Sequence, residues 1–416
     1  MTRTRSEEEK PRRNGPTLSS RWVIVAAALA FVVKISLAWN TYGTNDVIFW
    51  ERDLAKIQHD GGLALYRDGA QIYWNGAWVR TEPFNQPPFL IHLLRGWGAM
   101  ADASGLPMRF WLRLTSVLAD IGSLALVWSI SKASKLYIHP LALGLVALSP
   151  VSIMVAGFHG NTDPLMVSLL LLSVYLIETG RGEWLAGAAF GMAMNIKIVP
   201  MIFAPVLLLY LPTMRRRAGF VVAAGAIFAA ASLPYLAKEP LLIIHRVFGY
   251  GSGVGRWGIP RLIHLYLPQA AFAAYVAAGK LFALSTVLAA SVWIYWGNRK
   301  PALFLQCGFV AFLFLFVTSG FGVQYLAWLV PWCAALAPRQ TWFFYFASAV
   351  YVLALYTLWS WGFPWYLANA LDTTFSPAQK GFVFLLETIC WISVGFTACV
   401  FYRKLRSLKT VQLYKS

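Results

Sequence analysis

Charge is scarce in this chain and acidity scarcer still. Only 12% of the 416 residues are charged, and 17 acids stand against 35 lysines and arginines. Soluble domains carry about twice that charged fraction. With 58% hydrophobic and 16% aromatic residues, the composition excludes a soluble enzyme and indicates an all-α polytopic membrane protein. The formal net charge of +18 does not point to nucleic acid, because the basic residues are spread over short segments between apolar runs instead of forming one patch. Cysteine is sparse too. Cys307, Cys333, Cys390 and Cys399 all fall inside apolar runs, with no metal-ligand spacing and no partner in a polar loop, so neither a disulfide framework nor a thiolate metal site is expected. There is no repeat of 20 to 50 residues and no mirroring of the two halves, which weakens a transporter reading.

What is present is a series of apolar runs. The first, residues 22 to 39, follows Arg3, Arg5, Arg12, Arg13 and Arg21, which should hold the N-terminus in the cytoplasm. Its basic start and the small residues Ser36 and Ala38 also fit a cleaved signal, but it is long for one and the topology needs its crossing. Further runs cover residues 110 to 131, 139 to 157, 164 to 178, 217 to 236, 270 to 296, 302 to 318, 323 to 337, 341 to 361 and 379 to 401, with a closely packed pair between 184 and 211. Alternate threading leaves the basic clusters inside and gives 11 to 12 transmembrane helices by about 20 residues per span. The expected organisation is a cytoplasmic basic tail over residues 1–21, one transmembrane domain over 22–402, and a second basic tail over 403–416. Two long segments, 40–109 and 237–269, fall on the extracytoplasmic side.

Candidate chemistry clusters in those outer segments. Asp46 is the first acid after the first span, and the stretch after it, with Glu51, Arg52, Asp53 and Lys56 interleaved with apolar residues, predicts an interfacial helix. Residues 88 to 101 predict a second. Asp46 is either a functional acid at the membrane surface or the cap of the helix that follows. The short turn His159-Gly160-Asn161-Thr162-Asp163-Pro164 holds four polar or titratable side chains. Turn chemistry accounts for Gly160, Asn161, Asp163 and Pro164 but leaves His159 as a candidate ligand contact.

Residues 184 to 211 must leave the cytoplasmic side and return within 28 residues. A limb of about 13 residues reaches only about 20 Å into a core of about 30 Å. Asn195-Ile196-Lys197 should therefore lie at a helix break within the membrane, with Pro200 just after it. An intramembrane lysine costs about 3 kcal/mol unless it meets an anion or water. Lys197 is either a functional cation or one half of an ion pair with a neighbouring helix, for which Asp120 is the expected partner. In the second outer segment, Arg246 and Arg256 lie among glycines 249, 251, 253, 255 and 258, an arrangement suited to a phosphate or, alternatively, to lipid headgroups.

Taken in order, these residues resemble the GT-C superfamily of polyprenyl-phosphate-sugar-dependent glycosyltransferases, in particular the family-87-like members and the catalytic subunit of the first GPI mannosyltransferase. The similarity is carried by Asn45-Asp46, Phe84-Asn85-Gln86-Pro87-Pro88, the His159-to-Asp163 turn, Lys197-Ile198-Val199-Pro200, and Gln324-Tyr325 leading to Pro331. The chain lacks the paired Asp-Glu of protein O-mannosyltransferases and the large soluble C-terminal domain of oligosaccharyltransferases. The resemblance implies the GT-C fold and transfer of a hexose such as mannose, with inversion, from a polyprenyl-phosphate donor to a lipid-linked or glycan hydroxyl on the extracytoplasmic side, in a bacterial inner membrane. Asp46 would be the catalytic base. Lys197, Arg246, Arg256 and His159 would hold the donor phosphate, while Asn45, Asn161, Asp163, Gln86, His245, Tyr250, Gln324 and Tyr325 would contact substrate. No cofactor and no metal are expected. The competing readings are a lipid or sugar flippase and a non-catalytic subunit of a membrane complex.

Overall fold

The computed structural model describes residues 19–413 except 75–76, 135, 250–252, 256 and 298–300. α1 (Ser19–Asn40) runs through β1 (Gly43–Thr44) into α2 (Asn45–Asp60). α3 (Gly62–Asp68), the antiparallel hairpin of β2 (Gln71–Trp74) and β3 (Ala77–Arg80), and α4 (Phe89–Ser104) complete a module between α1 and α5 (Met108–Ala133). α6 (Pro140–Ala147) and α7 (Pro150–Ile153) continue into a π-helical turn, Met154–His159. α8 (Asp163–Glu178) and α9 (Glu183–Ile196) lead to a 3-10 turn, Val199–Phe203, and α10 (Ala204–Tyr210). Then come α11 (Met214–Leu236), α12 (Pro240–Phe248), α13 (Gly258–Tyr266), α14 (Gln269–Trp296) and α15 (Leu303–Val317). Two 3-10 turns, Val323–Trp328 and Pro331–Ala335, precede α16 (Pro338–Trp359), β4 (Leu367–Ala368) and α17 (Pro377–Leu413).

Every apolar run read from the sequence is helical. Among the described residues seven stretches are long and apolar enough to cross a membrane: Arg21–Asn40, Met108–Ala133, Pro140–His159, Met214–Leu236, Gln269–Trp296, Pro338–Trp359 and Pro377–Leu408. The other runs fold as shorter helices, among them Val199–Tyr210, Leu303–Val317 and Val323–Ala335. Large apolar side chains such as Leu29, Val32, Val222 and Leu281 point outward from the long helices, as expected of a protein whose solvent is lipid.

The chain builds two cores. The larger joins the long helices around Phe158, Phe304, Phe312, Trp332 and Tyr356. The smaller belongs to the module: α2 offers Val47, Trp50, Leu54 and Ile57 along one face, and these pack on Leu65, Tyr66, Phe84 and on Leu90, Ile91, Leu94 and Trp97 of α4. Tyr235, Ile243 and Val247, from α11 and α12, close this second core from the far side. Among its described residues, segment 237–269 holds two helices, α12 and α13, with α12 buttressing the module.

A joint of charge lies between the long helices. Lys34, fully buried on α1, makes an ion pair with Asp120 of α5, whose carboxylate also accepts from Ser152 Oγ at 2.9 Å. Asp120 therefore does not serve Lys197. The sequence reading left Lys34 unremarked within the first span.

Candidate active site

α2 is set in place by its first turn. Thr44 caps it, its Oγ1 accepting from the Asp46 amide at 3.3 Å and donating to the His159 carbonyl at 2.7 Å. Asp46 is therefore not the cap, and its carboxylate is available for other work. Just upstream, the fully buried Arg113 of α5 holds Thr41, with Nη1 on the hydroxyl at 2.8 Å and Nη2 on the carbonyl at 2.7 Å. β1 pairs in parallel with β4, Gly43 opposite Leu367 and Thr44 opposite Ala368. Asn45 belongs to this clasp: its Oδ1 accepts from the Ala370 amide at 3.2 Å, so its evident role is to seat α2.

The turn after the π-helix presses against this helix end. Gly160 has φ +80°, and a Cβ there would meet Val47 Cγ2 at 2.3 Å. That close approach lets Trp50 Nε1 donate to the Gly160 carbonyl at 3.1 Å. It also brings His159 Nε2 and Asn161 Nδ2 each to 3.0 Å from Asp46 Oδ2. His159 Nδ1 in turn makes a short contact with the buried Tyr356 hydroxyl of α16. The Asn161 side-chain oxygen accepts from the amides of Thr162 and Asp163 just where α8 begins, so one amide group serves both the turn and the site. Burial raises the Asp46 carboxyl, but the His159 ring, the hydrogen bonds from His159 and Asn161, and the Lys197 ammonium outweigh it and leave the group below its ordinary value. Asp46 is an anion at neutral pH, and its side chain is 28% exposed.

Lys197 lies where the sequence places the break. α9 stops at Ile196, Lys197 is extended at φ −156° and ψ 140°, and the chain restarts as the 3-10 turn containing Pro200. Its partner is Asp163, at 2.7 Å from Nζ, with Trp328 Nε1 donating to the same carboxylate oxygen at 3.0 Å. Asp163 is thus an anchor for the lysine and not only a turn residue. Nζ also lies over the rings of Tyr325 and Trp328, at 5.2 and 5.6 Å from their centroids.

A cavity of about 430 Å³ collects most of these groups: Asp46, Trp50, Gln86, Asn161, Lys197 and Gln324 line it, with Asp53, Glu82, Phe49, Ile72 and Phe84. A second, largely apolar groove of about 340 Å³ is walled by Ile198, Val199, Phe314, Lys280, Tyr325 and Trp328, the last two being the rings that lie against Lys197 Nζ. Arg246 reaches neither. It ends α12 with Nε donating to the Tyr66 carbonyl at 3.1 Å, and His245 beside it is exposed on the same helix. The α12 helix carries both residues to the flank of the module, where neither Arg246, expected at the donor phosphate, nor His245, expected at the substrate, lines either cavity. Tyr250 and Arg256 fall outside the described residues. The site also holds residues that sequence reasoning passed over: Asp53, Glu82, Trp50 and Tyr356. Asp53 was legible as the residue seven after Asp46, hence on the same helix face. Trp328 lies within the Gln324-to-Pro331 stretch already singled out, whereas Tyr356 carried no such signal, being one aromatic among many in an apolar run.

A family model described as glycosyltransferase family 87 matches residues 84–319 of this chain, more than half of it. Among solved structures, the fold is similar to the crystal structure of ArnT from Cupriavidus metallidurans bound to undecaprenyl phosphate. The identity is 14%, the TM-score 0.50, and the match covers 93% of this chain and 78% of that one. The apo structure of the same protein gives 14% identity and a TM-score of 0.49, covering 94% and 78%. No curated protein matches this chain.

Proposed function

The chain belongs to glycosyltransferase family 87 and has the GT-C fold, and from that footing we propose that it transfers a hexose from a polyprenyl-phosphate donor to a hydroxyl of a lipid-linked or glycan acceptor at the extracytoplasmic membrane surface. The observation that carries the reading is the position of Lys197. Lys197 lines the polar cavity that holds Asp46, and the Tyr325 and Trp328 rings against its ammonium wall an apolar groove that reaches α14 and Lys280. A polyprenyl-phosphate sugar has that same sequence of parts: an apolar tail, an anion, a polyhydroxylated ring. The ArnT structure of similar fold is bound to undecaprenyl phosphate, a lipid of this class.

In this reading the tail lies along Val199, Phe314 and Trp328, the phosphate meets Lys197, and the sugar sits in the cavity with its anomeric carbon toward Asp46. His159 and Asn161 both hold Asp46 Oδ2, which turns Oδ1 to the acceptor hydroxyl. The acceptor oxygen attacks the anomeric carbon as the bond to the phosphate oxygen breaks, and Asp46 takes the hydroxyl proton. A carboxylate held below its usual pKa accepts that proton late, once the attacking oxygen has lost electron density to the sugar. The polyprenyl phosphate leaves as an anion, which Lys197 stabilises.

Transfer from a panel of radiolabelled polyprenyl-phosphate hexoses tests the reading. Asp46→Asn keeps size and the contacts to His159 and Asn161 but cannot act as a base, so turnover should fall by about a hundredfold or more with the fold intact. Activity within about threefold of wild type would remove Asp46 from the mechanism. Among the described residues no three His, Cys, Asp or Glu side chains converge as a metal-ligand set, so excess chelator is expected to leave turnover unchanged.

A further inference from the structure

Asp53 has no part in the mechanism above, yet it lines the same cavity. It lies two helical turns beyond Asp46 on α2, about 10 Å along the axis and so more than one pyranose ring away. Its residue is 8% exposed, and among the described residues it has no ion pair and no hydrogen bond. Arg52 beside it is engaged over the Trp78 ring instead, at 5.4 Å from the centroid. An unpartnered acid buried to this degree lowers stability wherever it is ionised. Burial pushes its carboxyl up to about 7, so near neutral pH it both donates and accepts hydrogen bonds.

The surroundings suit one kind of ligand. Between the two acids the cavity wall is Trp50, packed edge-on against Phe84 at 6.4 Å, with Ile72 of the hairpin also facing in. These present flat apolar surface. Asn85, Gln86, Thr81 and Glu82 add polar groups to the lining. Apolar area flanked by amides and carboxyls matches a neutral sugar ring, which is apolar on its C–H face and hydroxylated at its edge. The carboxyls are not gathered on a point that a cation could occupy.

We propose that Asp53 is a specificity-determining residue that holds the hydroxyls of a neutral hexose ring lying along Trp50, at the end of the cavity away from Asp46. This rests on the glycosyltransferase reading of the cavity. The ring belongs either to the donor or to the acceptor. Both present the same hydroxyl chemistry, and the measurement separates them.

The test measures binding of two tritiated probes, polyprenyl-phosphate mannose and methyl α-mannoside, to detergent-purified wild type, Asp53→Ala, Asp53→Asn and Asp46→Asn, with thermal unfolding as the check on folding. Wild type should bind at least one probe. Asp53→Ala should weaken that probe by about tenfold to a hundredfold, as expected for loss of one or two such bonds, and Asp53→Asn by less. Weakening confined to the donor assigns the ring to the transferred sugar, and weakening confined to the glycoside assigns it to the acceptor. Kinetically, Asp53→Ala should raise the KM of that substrate while kcat stays within about threefold. The inference is overturned if Asp53→Ala binds as wild type does, if wild type binds neither probe, or if kcat falls as far as in Asp46→Asn with KM unchanged. Preference for an amine-bearing hexoside over the neutral one, lost in Asp53→Asn, would overturn the neutral-ring assignment. Should Asp46→Asn retain turnover, the mechanism above fails while the binding result for Asp53 stands independently.

Discussion

At the scale of single residues, the site is a set of buried charges that depend on one another. Lys197→Met would leave Asp163 buried without its cation, and Asp163 Oδ2 already lacks a partner among the described residues. Breaking such a pair costs about 3 to 5 kcal/mol. Thermal unfolding should therefore show Lys197→Met destabilised and Lys197→Met with Asp163→Asn largely restored, while donor binding remains weak in both. If the double variant binds donor normally, the lysine is structural. Asp53 makes the opposite prediction. Its folded value of about 7 lies above the ordinary 3.8, so as pH rises from about 4 to 7 the unfolded chain ionises first and stability is lost. Asp53→Asn should melt higher than wild type, by a margin that grows across that window toward about 4 kcal/mol and is flat above it. Equal margins at pH 5 and pH 8 would show that Asp53 ionises normally.

At the scale of elements, what positions Asp46 is the contact between the first turn of α2 and the loop that follows the π-helical turn. Gly160→Ala adds a Cβ where Val47 already stands and forces an L-residue to φ +80°. The expected cost is about 1 to 3 kcal/mol in stability, with a larger proportional loss of kcat than of donor affinity. Val47→Ala in the same protein should recover part of the activity by removing the overlap. Much of this level was legible in the chain. The break at Lys197 followed from the impossibility of two full spans between Arg181 and Arg215, and the helices α2 and α4 from their amphipathic patterns. The partner of Lys197 was not, because Asp163 sits 34 residues away in a turn whose local chemistry already explained an acid there. The position of Arg246 was not legible for a related reason. A glycine-flanked arginine looks like an anion clamp in one dimension, whereas α12 carries it onto the Tyr66 carbonyl.

At the scale of the whole molecule, the distribution of basic residues predicts which way the protein faces. With the four native cysteines replaced, a cysteine at Val79, exposed on β3, should react with a membrane-impermeant maleimide added to the extracytoplasmic side of oriented vesicles. One at Arg216, in the first turn of α11, should not. The reverse pattern would put Asp46 on the cytoplasmic side and remove the extracytoplasmic acceptor from the reading. The clasp between β1 and β4 bears on the order of manufacture. Every residue lining the polar cavity lies between positions 46 and 324, so those parts leave the ribosome before residues 356 to 370 do. Tyr356, Leu367, Ala368 and the Ala370 amide come later, and they are what His159, Gly43, Thr44 and Asn45 rest on. A nascent chain thus carries the whole lining of the cavity before the residues that brace the helix of Asp46 have been made.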